Sequence, residues 1–165
     1  MLKQFATVAA VALPITAHAA QVDIEGNVQS KCIIQTDTAG VYGNPSPDKL
    51  STLASDGGVE PIVRFDVAVA NYYKAMITYP TAFSTSPSLS DTVTWTGSAS
   101  VSSVSDAGMS AYDTSKVEYG STTEFDLTIA GSTWFKVSST ATYGYGKAFP
   151  GGTYRAIVLA ECIAK

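Results

Sequence analysis

The sequence predicts an antiparallel β-sandwich, with a β-barrel as the second choice. Three observations lead there. No stretch of ten or more residues repeats its apolar side chains at a helical period. Roughly eight or nine short stretches alternate apolar and polar side chains instead, the mark of strands with one buried face. Turn residues (Gly, Pro, Asn, Asp, Ser) separate those stretches at regular intervals. No repeat of fixed period is present.

Residues 1–20 read as a secretory signal peptide. Lys3 is the positive flank, Phe5 to Ile15 the short apolar run, and Ala17-His18-Ala19 the cleavage site, with a cut after Ala20 also compatible. The apolar run is too short for a membrane span, which needs about 20 such residues. Gln21 to Lys31 comes next. Val22, Ile24 and Val28 alternate with Gly26 on one face, and Asp23, Glu25, Asn27 and Gln29 point the other way. On periodicity alone this is a strand, and an ordinary first edge strand is the plain alternative.

Ile33 and Ile34 form a short apolar piece, followed by turn chemistry at Thr38-Ala-Gly40, Tyr42-Gly-Asn-Pro45 and Ser46-Pro47. Leu50 and Leu53 suit a short edge piece. Val59 to Ala70 is the clearest strand, with Val63, Phe65, Val67 and Val69 on one face. Tyr72 to Tyr79 follows, with Tyr73, Ala75, Ile77 and Tyr79 on one face. The short Ala70-Asn71 join predicts that these two strands pair as a hairpin. Pro80 ends the second strand, since it has no N–H to donate. Asp91 to Thr96 carries Val93 and Trp95. A weaker, serine-rich strand carries Val101 and Val104, and Asp106-Ala-Gly108 is a turn. Val117 and Tyr119 alternate briefly, Phe125, Leu127 and Ile129 more clearly, and Trp134 to Val137 is a further strand. Tyr143-Gly-Tyr-Gly146 and Phe149-Pro-Gly-Gly152 are loops. The last strand runs from Tyr154 to Ala164. Tyr154, Ala156, Val158, Ala160 and Cys162 share one face, and Ile157, Leu159 and Ile163 the other, so both faces are expected to be covered.

Without the signal the chain has about 145 residues, the size of one domain able to bury a core. Nine basic against fourteen acidic side chains then give a net charge of −5. An acidic chain with no basic cluster argues against nucleic acid and anionic membrane as partners. The single histidine, His18, lies in the signal. That removes Ser-His-Asp and Cys-His catalysis and any histidine metal site from the secreted chain. The acidic residues match no calcium loop, and no cofactor or metal is expected. Two scattered carboxylates could reach glycosidase spacing in any fold, so nothing singles out a catalytic residue. Tyr72, Tyr73, Trp95, Tyr143 and Tyr145 could offer flat surfaces to sugar rings, against the plain role of packing. Cys32 and Cys162 remain. In an exported chain they suggest one disulfide, closing nearly the whole domain; free thiols or an intermolecular bridge are the alternatives.

The chain resembles the subunits of chaperone–usher pili, most nearly the class of the colonisation-factor fimbriae. Four features carry the resemblance: the signal peptide; Val22-x-Ile24-x-Gly26-x-Val28; the run Lys74-AMITYPTAFSTSPSLSD-Thr92 leading into Val93-Thr-Trp95; and the ending Gly151-Gly-Thr-Tyr154-Arg-Ala-Ile-Val158. Members of that class usually lack this cysteine pair. The resemblance implies an immunoglobulin-like sandwich over residues 32–165, short of one strand and completed by a donor strand from a neighbouring copy. Residues 21–31 would be the donor, with Val22, Ile24 and Val28 as plugs and Gly26 where the groove is shallow. The acceptor groove would lie along Tyr154, Ala156, Ile157, Val158 and Leu159. Its implied partners are copies of itself in a head-to-tail fibre, a periplasmic chaperone, an outer-membrane usher and a host or surface receptor. The implied setting is a cell-surface fimbrium supporting adhesion or biofilm formation. A self-contained exported sandwich that binds glycan or protein is the alternative.

Overall fold

The computed structural model describes Glu25 and residues 31–165 of the chain. The expected signal peptide and the donor residues Val22, Ile24, Gly26 and Val28 lie outside the described residues. Twelve strands follow in order: β1 (Cys32–Thr38), β2 (Gly43–Ser46), β3 (Lys49–Ser51), β4 (Ile62–Val67), β5 (Tyr73–Thr78), β6 (Phe83–Thr85), β7 (Val93–Val104), β8 (Val117–Tyr119), β9 (Thr122–Leu127), β10 (Gly131–Tyr143), β11 (Arg155–Ala156) and β12 (Leu159–Ala164). All ladders between them are antiparallel.

One sheet is built on β10. It pairs with β4 and β3 along one side and with β7 along the other, while β1 extends the sheet beyond β4 and β2 beyond β3. The second sheet has the order β12-β5-β9-β8, and β6 and β11 form a small third ladder. The two main sheets face each other across an apolar core. Val63, Phe65, Val67, Phe135 and Val137 enter it from the first, and Tyr73, Ala75, Ile77, Phe125 and Leu127 from the second. Phe65, Phe125 and Phe135 are fully buried, with Phe135 centred 5.5 Å from Phe65 and 4.3 Å from Phe125. The result is an all-β sandwich, as alternation of side chains in strands buried on one face requires.

Several local expectations are corrected. β4 and β5 do not pair as a hairpin: β4 joins β1 and β10, and β5 joins β12 and β9. Each has a strongly apolar face, and in this fold the two faces meet across the core from opposite sheets. The short join therefore arches between sheets, helped by Asn71 at φ 61°. The stretches around Val93 and Val101 are one continuous strand, β7, and β10 is about three times the length expected around Trp134. The segment after Asp106 is more than a turn. The Asp106 side chain accepts from the Gly108 amide and caps a 3-10 turn (Ala107–Ala111) leading into the short helix α1 (Tyr112–Ser115). Met109 and Tyr112, three apart on that helical stretch, are buried in the core, and Tyr112 Oη accepts from the Ile129 amide.

α1 also covers part of the free side of β7. Asp113 accepts from the Val101 amide at 2.9 Å, and Lys116 Nζ donates to the Ala99 carbonyl at 3.0 Å. Backbone groups on a sheet edge invite unwanted pairing, and these two side chains satisfy one of each kind.

Candidate functional site: an open groove between two sheet edges

Cys32 and Cys162 form the expected disulfide. Cys32 begins β1, at the margin of the first sheet, and Cys162 lies near the end of β12, at the margin of the second. Among the described residues β1 pairs only with β4, and β12 only with β5. Two strand edges with unused backbone donors and acceptors thus run along the same side of the sandwich, joined at one end by the disulfide. The bridge fits an oxidising, exported compartment.

The expected last strand is divided. β12 pairs with β5 from Leu159 opposite Thr78 to Ala164 opposite Tyr73. β11 pairs with β6, Arg155 opposite Thr85 and Ala156 opposite Phe83. Both partners belong to one run of chain, interrupted where buried Pro80 cannot donate to a ladder. Ile157 and Val158 span the interruption.

Covering of both faces is also corrected. Val158, Ala160 and Cys162 pack against the core, but Ile157, Leu159 and Ile163 are 68 %, 51 % and 42 % exposed. The inward side chains border a cavity of about 210 Å³ between the two sheets, lined by Val63, Pro61, Pro80, Ala156 and Val158 with Thr36, Thr38 and Tyr42. It adjoins a larger and more open hollow of about 640 Å³ that includes Tyr42, Ala156, Ile157, Tyr154 and Arg155. Neither hollow is lined by the disulfide, and the larger one reaches Tyr154.

Two tyrosine hydroxyls line the groove's hollows. Tyr42 Oη and Ser139 Oγ share a 3.0 Å hydrogen bond, and burial raises the Tyr42 phenol above its ordinary pKa, partly offset by that bond. Tyr154 donates to the Pro150 carbonyl at 2.7 Å, and burial raises its pKa as well. Arg155 is the charged residue of the walls. An apolar floor flanked by free strand edges suits an extended apolar chain. Among the described residues no group of three His, Cys, Asp or Glu is placed to hold a metal, and no helix is long and apolar enough to cross a membrane.

Aromatic rings gather at the Tyr154 end. Phe83 packs edge-on against Trp95, Tyr154 and Phe149, with centroids 4.7, 5.0 and 6.0 Å away. Tyr143 stacks on Phe149 at 5.2 Å and accepts from the Ser90 amide. These contacts fasten the β6–β11 ladder and the loops around it to the sandwich. They also place the five aromatic residues considered for sugar binding. Tyr73 and Tyr143 are buried and Trp95 packs on Phe83. Tyr145 is wholly exposed, and Tyr72 is exposed near the opposite end of β10. About 40 Å of strand separates those two ends, so the five form no common platform.

Compared with family models, with curated proteins and with solved structures, the chain gives no match.

Proposed function

We propose that the chain is a structural subunit of an extracellular fibre, of the kind the pilin resemblance implies, and not an enzyme. One observation carries the reading: among the described residues β12 leaves one edge unpaired, beside a hollow that lies between the margins of two sheets. The strand order supports it. Taken in chain order, the principal strands β1, β4, β5, β7, β10 and β12 correspond to A to F of an immunoglobulin domain. On that reading β1-β4-β10-β7 would match A-B-E-D and β12-β5 would match F-C, with β9 and β8 added beyond β5, and the strand that would follow F has no counterpart in the described residues. A donor strand from a neighbouring copy would stand in that place.

Residues 21–31 of the neighbour would supply it, with Val22, Ile24 and Val28 entering the groove and Gly26 crossing a shallow point. Burial of three such side chains contributes about 1.5–3 kcal/mol each, and ladder hydrogen bonds add to that. The contact is head-to-tail and does not close, so repetition gives a fibre. A chaperone would shield the groove before assembly and an usher would direct the exchange. Surface attachment follows from the fibre. A self-contained sandwich binding glycan or protein has only the scattered exposed rings Tyr72 and Tyr145, of the five considered, in its favour.

Size-exclusion chromatography and negative-stain microscopy of the secreted chain, with and without residues 21–31, test the reading. Fibres or linked oligomers are expected from the complete chain. Unstable monomers that a peptide of residues 21–29 rescues are expected from the truncated one. Two equally stable monomers would sink it.

A further inference from the structure

Among the described residues, β7 is the one edge strand of the two main sheets with neither a charge nor a proline. The other edges carry Asp37 in β1, Pro45 in β2, Glu118 in β8 and Glu161 in β12. Such residues guard an edge against pairing with another chain. From Thr92 to Ser105 there is none.

The hydrogen bonds show which groups of this edge are free. Val93 to Val101 lie opposite Tyr143 to Phe135 with no register shift. In an antiparallel ladder alternate residues turn both N–H and C=O to the same side. The Val101 amide and the Ala99 carbonyl face Asp113 and Lys116, away from β10. Val93, Trp95 and Gly97 therefore face away from β10 as well. Across the ladder, the Val137 and Tyr143 amides donate to the Pro61 and Asp48 carbonyls on the far side of β10, as the same parity requires. Among the described residues no hydrogen bond takes up the outward groups of Val93, Trp95 and Gly97. The α1 segment occupies the edge at Ala99 and Val101. At the other end the Thr92 carbonyl accepts from the Gly144 amide, and the strand begins only at Val93. The open run is thus Val93 to Gly97, centred on Trp95.

We propose that this edge pairs with the same edge of a second copy, antiparallel about a two-fold axis at Trp95. Val93 then faces Gly97 of the second copy, and Trp95 faces Trp95. Each facing pair exchanges two hydrogen bonds, about six in all. The run suits a second copy in particular. It is symmetrical about Trp95, so every outward residue meets an outward residue. It is uncharged, so two acidic chains meet there without opposed like charges. On its inner face a hollow of about 240 Å³, lined by Phe83, Leu89, Val93 and Trp95, offers an apolar place to the facing indole. β7 lies at the margin of its sheet opposite β1. The contact is therefore separate from the groove and does not rest on the fibre reading.

The register gives the test. Thr94 and Thr96 are exposed on the outer face. In the proposed pair Thr94 faces Thr96 of the second copy with Cα atoms about 4.5 Å apart, whereas Thr94 meets Thr94 only diagonally, at about 7–8 Å. A disulfide needs about 4.4–6.8 Å. The secreted chain with Thr94→Cys is mixed with the chain carrying Thr96→Cys, oxidised mildly, and its crosslinks are mapped by mass spectrometry. The 94–96 crosslink should exceed the 94–94 and 96–96 crosslinks of either chain alone by roughly 10-fold or more. In sedimentation equilibrium, Thr94→Lys/Thr96→Lys, which sets like charges opposite each other, should weaken association through this edge by a similar factor. Fibres seen by negative stain should persist in that variant. No preference for the 94–96 crosslink, or unchanged association in the lysine variant, would overturn the edge pairing and leave fibre assembly standing. A preferred 94–96 crosslink in a chain that forms no fibre would sink the fibre reading and uphold this one.

Discussion

Cys32 and Cys162 stand 130 positions apart and join the margins of two different sheets, their Cα atoms separated by 6.3 Å. No backbone ladder links β1 to β12, so this bridge is the covalent closure of the sandwich on its groove side. A bridge over so long a loop removes much of the entropy of the unfolded chain, about 5 kcal/mol on the loop-closure account. Replacing both cysteines by serine should lower the urea midpoint by a large fraction of total stability. An unchanged midpoint would mean that the sheets hold together at this margin without it.

Phe135 occupies the middle of the core, on the strand that pairs with three others. Its ring touches Phe65 from the same sheet and Phe125 from the opposite one. Phe135→Ala should cost about 3–5 kcal/mol, since a rigid β-core closes poorly over a lost ring. Phe149→Ala, in the half-exposed cluster at the Tyr154 end, should cost less. Chemical denaturation of the two variants compares them directly, and equal losses would contradict this placement of the core.

Acid should weaken the fold in part through Asp66. Its carboxylate accepts from Arg64 Nε and Nη2 at 2.8 and 2.7 Å and from Ser132 Oγ, while Arg64 lies over the Trp134 ring at 5.4 Å. The Arg64 bonds, then the Ser132 bond, hold its pKa below the ordinary aspartate value against the opposing effect of burial. A depressed folded pKa gives stability that is fully present above the unfolded pKa of about 4. That stability is lost as the pH falls through the lower, folded value. Asp66→Asn should therefore lower stability at pH 7 and flatten its decline below about pH 4. An acid limb as steep as that of the unaltered chain would assign the decline to other carboxylates, such as Glu124, which Lys74 depresses in the same way.

The sandwich was legible because its strands alternate so regularly. Val63, Phe65, Val67, Tyr73, Ala75, Ile77, Phe125 and Leu127 are buried as period two requires. Partnership was not legible, because alternation fixes which face is buried and not which strand lies alongside. That is why the short Ala70-Asn71 join suggests a hairpin where the chain arches between sheets. Met109 and Tyr112 escaped because a helical stretch so short shows less than three turns of period; the Asp106 cap was its one local sign. The disulfide was foreseeable from cysteine count and compartment, whereas the groove between its two strands depends on sheet order. The break at Ile157-Val158 was marked in the sequence only indirectly, by Pro80 in the partner run.

That break sets up the sharpest contrast along the groove. Val158 and Leu159 are adjacent, and their side chains point to opposite faces. Val158 borders the hollow and packs on the core, and Leu159 is 51 % exposed. If an extended segment fills the groove, a carboxylate at Val158 must be desolvated without a partner each time the segment docks. Such an ion costs several kcal/mol, and about 3 kcal/mol already corresponds to more than 100-fold in affinity. Val158→Glu should therefore abolish binding of the 21–30 peptide and the formation of linked oligomers. Leu159→Glu should change both by no more than a few-fold, because its carboxylate stays in water. Circular dichroism and disulfide titration on each monomer separate lost docking from lost folding, and the milder Val158→Thr should give an intermediate affinity. The opposite ranking, with Leu159→Glu the damaging change, would move the contact to the outer face formed by Leu159 and Ile163 and leave the groove without a ligand.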